Sequence, residues 1–173
     1  SMAALAGRRE IMELGGIYHD KKRVFLISTT HGSENISLAA TKASLDFYQK
    51  YPVIEHIWSI GEELILNLNK VARKCGIGEH FQAFGYPPRP EYVFMDLGGK
   101  LSLPLRTLFV QEMSRQGVLI PYIVPSYSHT LTDVNETIEC ARNAFNIISK
   151  ALSDGWENYL LGNPIKPVFR EFN

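Results

Sequence analysis

A loop rich in hydroxyl side chains is the part of this chain best suited to bind a ligand. Its hydroxyl groups belong to Ser28, Thr29, Thr30 and Ser33. An apolar run at 24–27 predicts a buried strand before the loop, and a helical pattern begins after it near Glu34. The first turn of a helix has unpaired N–H groups and the positive end of the helix dipole, so it attracts anions. The sequence therefore predicts an anion site, which we interpret as a site for the phosphate of a cofactor.

Other residue patterns predict neither a catalytic nor a metal site. The five histidines are His19, His31, His56, His80 and His129. They are scattered and lack the spacing of metal ligands. His129 is expected to order the loop before the last helix, and neither Ser126 nor Ser128 beside it is marked as an activated nucleophile. Taken alone, Thr29 and Thr30 fit a simpler interpretation better, in which they only satisfy a helix N-terminus.

The composition excludes several classes of partner. Lys plus Arg equals Asp plus Glu at 18 each, so there is no electrostatic case for nucleic acid or an anionic membrane. No apolar run approaches the ~20 residues that span a bilayer. Hydrophobic residues make up 45% of the chain, which is enough for a globular core. Two cysteines without a disulfide framework, Cys75 and Cys140, predict a cytoplasmic protein.

The chain from residue 53 onward predicts a unit of its own. The predicted helices are 53–74, 103–116 and a last helix capped by Thr132 or Asp133 and ended by Gly155. The predicted strands are 79–85, 91–97 and 118–124. The order helix, strand, strand, helix, strand, helix is typical of an α+β unit. We therefore predict a three-stranded, partly antiparallel sheet covered by helices.

The residues before position 53 do not fit that unit. They hold one convincing strand, at 24–27, and one long helix that follows a predicted N-cap at Ser33. A lone strand cannot satisfy the hydrogen-bonding groups along its own edges. It needs a partner sheet that this chain does not supply, which favours the interpretation that the chain is part of a larger protein.

Four segments carry a resemblance to a known family. They are AALAGRREIM at 3–12, STTHGSE at 28–34 with SLAA at 37–40, GVL at 117–119 with SHT at 128–130, and KPVFR at 166–170. These segments resemble the class III pyridoxal-phosphate-dependent aminotransferases of fold type I. Glutamate-1-semialdehyde 2,1-aminomutase and its relatives look most similar. The resemblance covers almost the whole chain but only the C-terminal part of a family member.

The resemblance implies a domain organisation and two cofactor-binding residues. The implied parts are a remnant of the large cofactor-binding domain with its phosphate loop (1–33), an interdomain helix (34–52), the C-terminal small domain (53–155) and a C-terminal tail (156–173). Thr30 matches the family threonine that reaches the phosphate, and Thr29 stands where relatives often have glycine. In the family this threonine acts across a homodimer interface, so the phosphate it contacts is bound mainly by the other subunit.

The resemblance also implies an activity for the intact parent, although this chain lacks a residue that the activity needs. The intact parent is expected to transfer an amino group from an amino donor to a carbonyl compound, or between neighbouring carbons of one molecule. The lysine that holds pyridoxal phosphate covalently has no match in this chain, so the chain alone is expected to be inactive. A second class stays open, in which 53–152 is a stand-alone α+β ligand-binding or regulatory module without catalysis.

Overall fold

The computed structural model describes residues 5–15, 20, 22 and 34–167. The chain divides into two compact units, Ser1–Pro52 and Val53–Asn173. The predicted strand at 24–27 and the hydroxyl-rich loop lie outside the described residues, as does the end of the chain from residue 168. The predictions that fall on those residues therefore remain predictions.

The described part of the first unit is helical. Helix α1 spans Arg9–Met12 and helix α2 spans Asn35–Lys50. The N-cap of α2 is Glu34, so the predicted N-cap at Ser33 is wrong by one position. Glu34 keeps an extended backbone with φ −72° and ψ 118°, and its carboxylate accepts a hydrogen bond from the Ser37 hydroxyl at 2.8 Å. This contact holds Glu34 outside the helix, which explains the later start.

The described part of the second unit consists mainly of three long helices and a β-hairpin. The helices are α3 (Val53–Lys74), α4 (Leu103–Arg115) and α5 (Leu131–Asp154), and the strands are β1 (Phe81–Tyr86) and β2 (Arg89–Phe94). The predicted bounds of α3 are confirmed. The predicted N-cap of α5 is wrong, because the cap is Thr130 and not Thr132 or Asp133. Thr130 and Asp133 form a capping box, in which each side chain bonds the backbone N–H of the other.

An aromatic cluster forms the centre of the second unit. Phe81 and Phe94 are paired across the hairpin, and Tyr92 lies on the same buried face. Phe109 of α4 and Phe145 of α5 stack on each other with ring centroids 5.3 Å apart, and the Phe145 ring lies 4.7 Å from that of Phe81. Buried residues of α3 complete the same core. The predicted α+β class is confirmed by this arrangement of a hairpin against helices.

The predicted third strand at 118–124 does not form, and the sheet of the described residues has two strands. Hydrogen bonds from side chains use the backbone carbonyl groups that would otherwise be available for pairing with a third strand. The Arg106 guanidinium donates to the carbonyl oxygens of Tyr92 at 3.5 Å and of Pro121 at 3.0 Å, and the Tyr92 hydroxyl donates to the carbonyl of Ile120. Pro121 also has no N–H to donate to a ladder. The segment therefore lies beside β2 without pairing to it.

The outer edge of β1 is closed by a side chain from α3. The Asn69 amide nitrogen donates to the carbonyl of Ala83 at 2.7 Å, and the Ala83 N–H donates to the Asn69 side-chain oxygen at 2.9 Å. One asparagine thus satisfies both backbone groups of a strand residue, as a neighbouring strand would. An open strand edge can pair with strands of other chains. The contact with Asn69 blocks such pairing at the centre of β1.

Tyr92 gives the second unit a predictable response to alkali. Burial raises the pKa of Tyr92 from 10.0 to about 12, against a smaller opposing effect of the Arg106 guanidinium. The folded state therefore binds the phenol proton more tightly than the unfolded state does. The resulting stabilisation is complete below pH 10.0 and is lost as the pH rises through about 12.

We expect the substitution Tyr92→Phe to remove this pH dependence. By linkage, the wild-type chain should lose about 1.3 kcal/mol more free energy of unfolding than Tyr92→Phe between about pH 9 and pH 11. Urea unfolding followed by circular dichroism at both pH values measures the difference. Parallel pH profiles for the two proteins would contradict the assignment of a raised pKa to Tyr92.

Candidate functional site

The predicted cofactor-binding residues, Thr29 and Thr30, lie outside the described residues, so their function remains a prediction. The helix that follows them is described, and its N-cap side chain makes no hydrogen bond to the helix N–H groups. The first turn of α2 offers unpaired N–H groups and the positive end of the helix dipole, and the loop hydroxyl groups predicted from the sequence would add donors for a phosphate. The Glu34 carboxylate lies at the same end of the helix, so these donors must outweigh its repulsion of an anion.

A cleft in the second unit is a candidate site among the described residues. It has a volume of about 630 Å³, and its wall is the connection 117–125 between α4 and α5. Ile60 and Leu64 line it from α3, and Asp133, Val134, Glu136 and Thr137 line it from α5. Small-molecule sites commonly have volumes of about 300 to 1,000 Å³. We call this feature the 117–125 cleft.

The wall of the 117–125 cleft is held in place by side chains from the hairpin and α4. Besides the hydrogen bonds from Tyr92 and Arg106, the Arg89 guanidinium lies 5.0 Å from the centroid of the Tyr122 ring. Ile120 is buried beneath the wall. The exposed apolar residues of the wall are Leu119 (83%), Tyr122 (61%) and Val124 (51%). A fixed segment with a solvent-exposed apolar surface is a common property of binding sites.

A rigid turn at 126–129 follows the wall. The Ser126 N–H donates to Nδ1 of His129 at 3.0 Å, so the neutral ring carries its hydrogen on Nε2. Nε2 of His56 donates to the backbone carbonyl of His129 at 2.8 Å, and the His56 ring packs edge-on against Tyr127. The prediction that His129 orders the loop before the last helix is confirmed. The Ser126 hydroxyl oxygen lies 3.4 Å from the same Nδ1, so both contacts of this nitrogen are with Ser126 inside the turn.

The charged side chains that line the 117–125 cleft are both acidic. They are Asp133 and Glu136, in the first turns of α5. Hydrogen bonds from the side chain and backbone of Thr130 lower the pKa of Asp133, so this group stays a carboxylate at neutral pH. The lining thus combines apolar surface with negative charge.

The described residues show no metal centre. Within 5–15, 20, 22 and 34–167, no group of three or more His, Cys, Asp or Glu side chains is arranged to hold a metal ion. Within the same ranges, no helix is long and apolar enough to cross a membrane. Cys75 and Cys140 are free and half-buried, and burial raises the pKa of the Cys75 thiol, which lowers its reactivity.

Glu136 and the cleft around it are not predicted from the sequence. The cleft depends on α3 and α5 converging on an irregular connection, and this convergence leaves no spacing signal in the chain. One signal was present, because Asp133 and Glu136 lie three positions apart and therefore share a helix face.

Comparison with known proteins identifies the fold. The chain matches no family model and no curated protein. It does share its fold with part of a pyridoxal-phosphate protein of known structure, in agreement with the predicted fold type I architecture. That protein is FumI of Sphingopyxis sp. MTA144, solved in its pyridoxal-phosphate internal aldimine form. The match has a TM-score of 0.65 at 21% identity, covers 76% of this chain and spans 31% of the length of FumI.

Proposed function

We propose that this chain is the C-terminal part of a pyridoxal-phosphate-dependent aminotransferase or aminomutase. The shared fold with FumI is the observation that carries the proposal, because FumI was solved with this cofactor. The chain spans 31% of FumI, so the remainder of such an enzyme would come from further polypeptide. The exposed apolar side chains of α2 support this, since Ile36 is 81% exposed and Leu45 is 59% exposed. A helix with this much apolar surface is normally covered by other parts of a protein.

The two loop threonines would hold the cofactor phosphate. In the proposed parent, the Thr30 hydroxyl would donate a hydrogen bond to a phosphate oxygen bound mainly by the other subunit of a homodimer. The Thr29 backbone would lie against the same phosphate. When bound, pyridoxal phosphate supplies an electron sink that weakens bonds to the carbon bearing the amino group. These threonines would position that electron sink and take no part in moving protons.

This chain by itself is expected to be inactive. Covalent attachment of the cofactor needs a lysine in a suitable context, and Lys21, Lys22, Lys42 and Lys100 do not match that context. The Lys42 ammonium group is in addition paired with Asp46 at 2.8 Å on the surface of α2. The substrates of the parent would be an amino donor and a carbonyl compound, with an aminomutase as the intramolecular variant.

Thr30→Ala in the longer protein is expected to weaken cofactor retention. Loss of one hydrogen bond to a charged phosphate costs about 1.5 to 3 kcal/mol, which is roughly a 10- to 150-fold increase in dissociation constant. Equilibrium dialysis against pyridoxal phosphate measures the change. Thr41→Ala is a matched control, because the Thr41 hydroxyl bonds the Ser37 carbonyl within α2. Equal affinities for Thr30→Ala, Thr41→Ala and wild type would reject the assignment of Thr30.

A stand-alone binding module is the second candidate. It is favoured by one observation, that Val53–Asn173 forms a compact unit with a continuous core of its own. The two candidate functions predict different visible absorption spectra for the purified protein. An enzyme purified as the longer protein should carry a visible cofactor absorption band that borohydride abolishes. A binding module should show no such band before or after reduction.

A further inference from the structure

The turn at 126–129 depends on a nitrogen atom whose hydrogen-bonding role changes with pH. The backbone of the turn is closed by a hydrogen bond from the His129 N–H to the Ser126 carbonyl oxygen at 3.1 Å. The Ser126 N–H donates to Nδ1 of the His129 ring at 3.0 Å, and the Ser126 hydroxyl oxygen lies 3.4 Å from the same atom. Ser126 therefore presents both a hydrogen-bond donor and a hydrogen-bond acceptor to this nitrogen.

Uptake of a proton by a histidine ring exchanges an acceptor for a donor. In the neutral ring, Nδ1 of His129 accepts the Ser126 N–H, whereas in the charged ring both nitrogen atoms carry hydrogen. The Ser126 N–H would then face another N–H group, and the Ser126 hydroxyl oxygen can accept the new hydrogen. Histidine is the side chain that ordinarily changes its charge under mildly acidic conditions, so this exchange belongs to that range.

The titratable groups around His129 come from the turn itself, from α3 and from α5. Nε2 of His56 in α3 donates to the His129 carbonyl oxygen at 2.8 Å, and the His56 ring packs against Tyr127. A charged His56 ring keeps its Nε2 hydrogen, so this contact survives acidification. Asp133 and Glu136 of α5 line the same cleft as His129. The contact with α3 is therefore insensitive to acid, and the contact inside the turn is not.

The acidic groups of α5 and the backbone of the turn act on the His129 ring in opposite directions. Hydrogen bonds from Thr130 are the main cause of the lowered pKa of Asp133, and attraction to the His129 ring contributes to it. The same attraction favours a charged ring. The Ser126 N–H favours the neutral ring, because only that form accepts it. Two states of the turn thus have favourable contacts.

We propose that the turn at 126–129 is a pH-sensitive latch, in which protonation of His129 exchanges the Ser126 N–H for the Ser126 hydroxyl oxygen. At neutral pH the latch is closed, and it fixes the end of the cleft wall to the start of α5. On acidification the Ser126 N–H loses its acceptor, so this end of the wall gains freedom while His56 still ties the turn to α3. The inference goes beyond the proposed function, because the latch requires neither cofactor nor substrate.

The test follows His129 and Ser126 by NMR in the whole 173-residue chain, labelled with ¹⁵N. The ring nitrogen signals of His129 report its charge and the position of its hydrogen, which should be Nε2 at about pH 8. Exchange of the Ser126 amide hydrogen is measured by saturation transfer from water at about pH 8 and in deuterium oxide at about pH 5. Corrected for the intrinsic effect of pH, the exchange rate should be about two- to tenfold higher at the lower pH, as expected for loss of one neutral hydrogen bond.

Two variants assign the response to one of the two histidines. In His129→Asn, the side-chain oxygen can accept the Ser126 N–H in place of Nδ1, and the amide does not titrate. Its corrected exchange rate should be the same at both pH values. His56→Gln is the matched control, because glutamine keeps a side-chain donor for the His129 carbonyl and does not titrate. It should respond to acid as the wild-type chain does.

Ser126→Ala tests the exchange of partners without replacing either histidine. The variant keeps the Ser126 backbone N–H and removes the hydroxyl acceptor, so a smaller fraction of His129 rings should be charged at about pH 6 than in wild type. Four outcomes would overturn the proposal. They are a hydrogen on Nδ1 at about pH 8, equal corrected rates at both pH values in wild type, a full response to acid in His129→Asn, and an unchanged charged fraction in Ser126→Ala.

Discussion

Gly61→Ala is expected to lower the free energy of unfolding by about 3 kcal/mol or more. An added Cβ would lie 1.8 Å from the carbonyl oxygen of Pro87 and 2.8 Å from its Cα. Both are backbone atoms of the turn between β1 and β2, so no flexible side chain can move aside. Helix α3 and the hairpin would have to separate, which would disturb the core that they share.

The predicted loss of unfolding free energy in Gly61→Ala is opposite in sign to the effect of the same substitution in an exposed helix. In an exposed helix, replacing glycine with alanine stabilises by about 1 kcal/mol, because alanine has the higher helix propensity. Gly162→Ala is the control, since an added Cβ at Gly162 meets no atom within 4 Å. Its unfolding free energy should stay within about 0.5 kcal/mol of wild type. Urea unfolding of both variants measures the values, and a stabilised Gly61→Ala would contradict the close contact with Pro87.

Phe145→Ala is expected to destabilise the second unit by about 3 to 5 kcal/mol. Phe145 is fully buried and stacks on Phe109, with the Phe81 ring 4.7 Å away. Truncation removes the apolar burial of one ring and leaves a cavity between α4, α5 and the hairpin. Urea unfolding followed by circular dichroism measures the loss.

Phe84→Ala is the matched control for the aromatic cluster. Phe84 lies on β1 but on the outer face of the hairpin, and it is 41% exposed. Its truncation should cost about 1 kcal/mol or less, because it removes little buried area and opens no cavity. A similar loss in Phe84→Ala and Phe145→Ala would show that the core is not centred on the cluster described.

Much of the second unit could be predicted from the sequence because its long helices have regular apolar stripes. The buried apolar residues of α3 recur along one face, and its predicted bounds agree with the structure. The last helix, α5, was predicted too, although the capping box at Thr130 places its start earlier than predicted. Periodicity is local, so it can be read along the chain without knowledge of tertiary contacts.

The third strand could not be excluded from the sequence, because its absence depends on distant residues. The segment 118–124 has strand-like composition, and only the folded chain brings Arg106 and Tyr92 to its carbonyl groups. The two candidate sites also differ in whether neighbouring residues of the chain reveal them. Hydroxyl residues at 28–33 are contiguous and could be recognised directly. The 117–125 cleft joins residues of α3 and α5 that are far apart in the chain, so no contiguous sequence pattern marks the cleft as a whole.

An experimental structure of the longer protein with pyridoxal phosphate bound is the most direct measurement of the central claim. The account predicts a homodimer in which the Thr30 hydroxyl of one subunit lies about 3 Å from a phosphate oxygen bound in the other. A structure with the cofactor phosphate bound by other groups, and with Thr30 beyond hydrogen-bond distance, would contradict the claim.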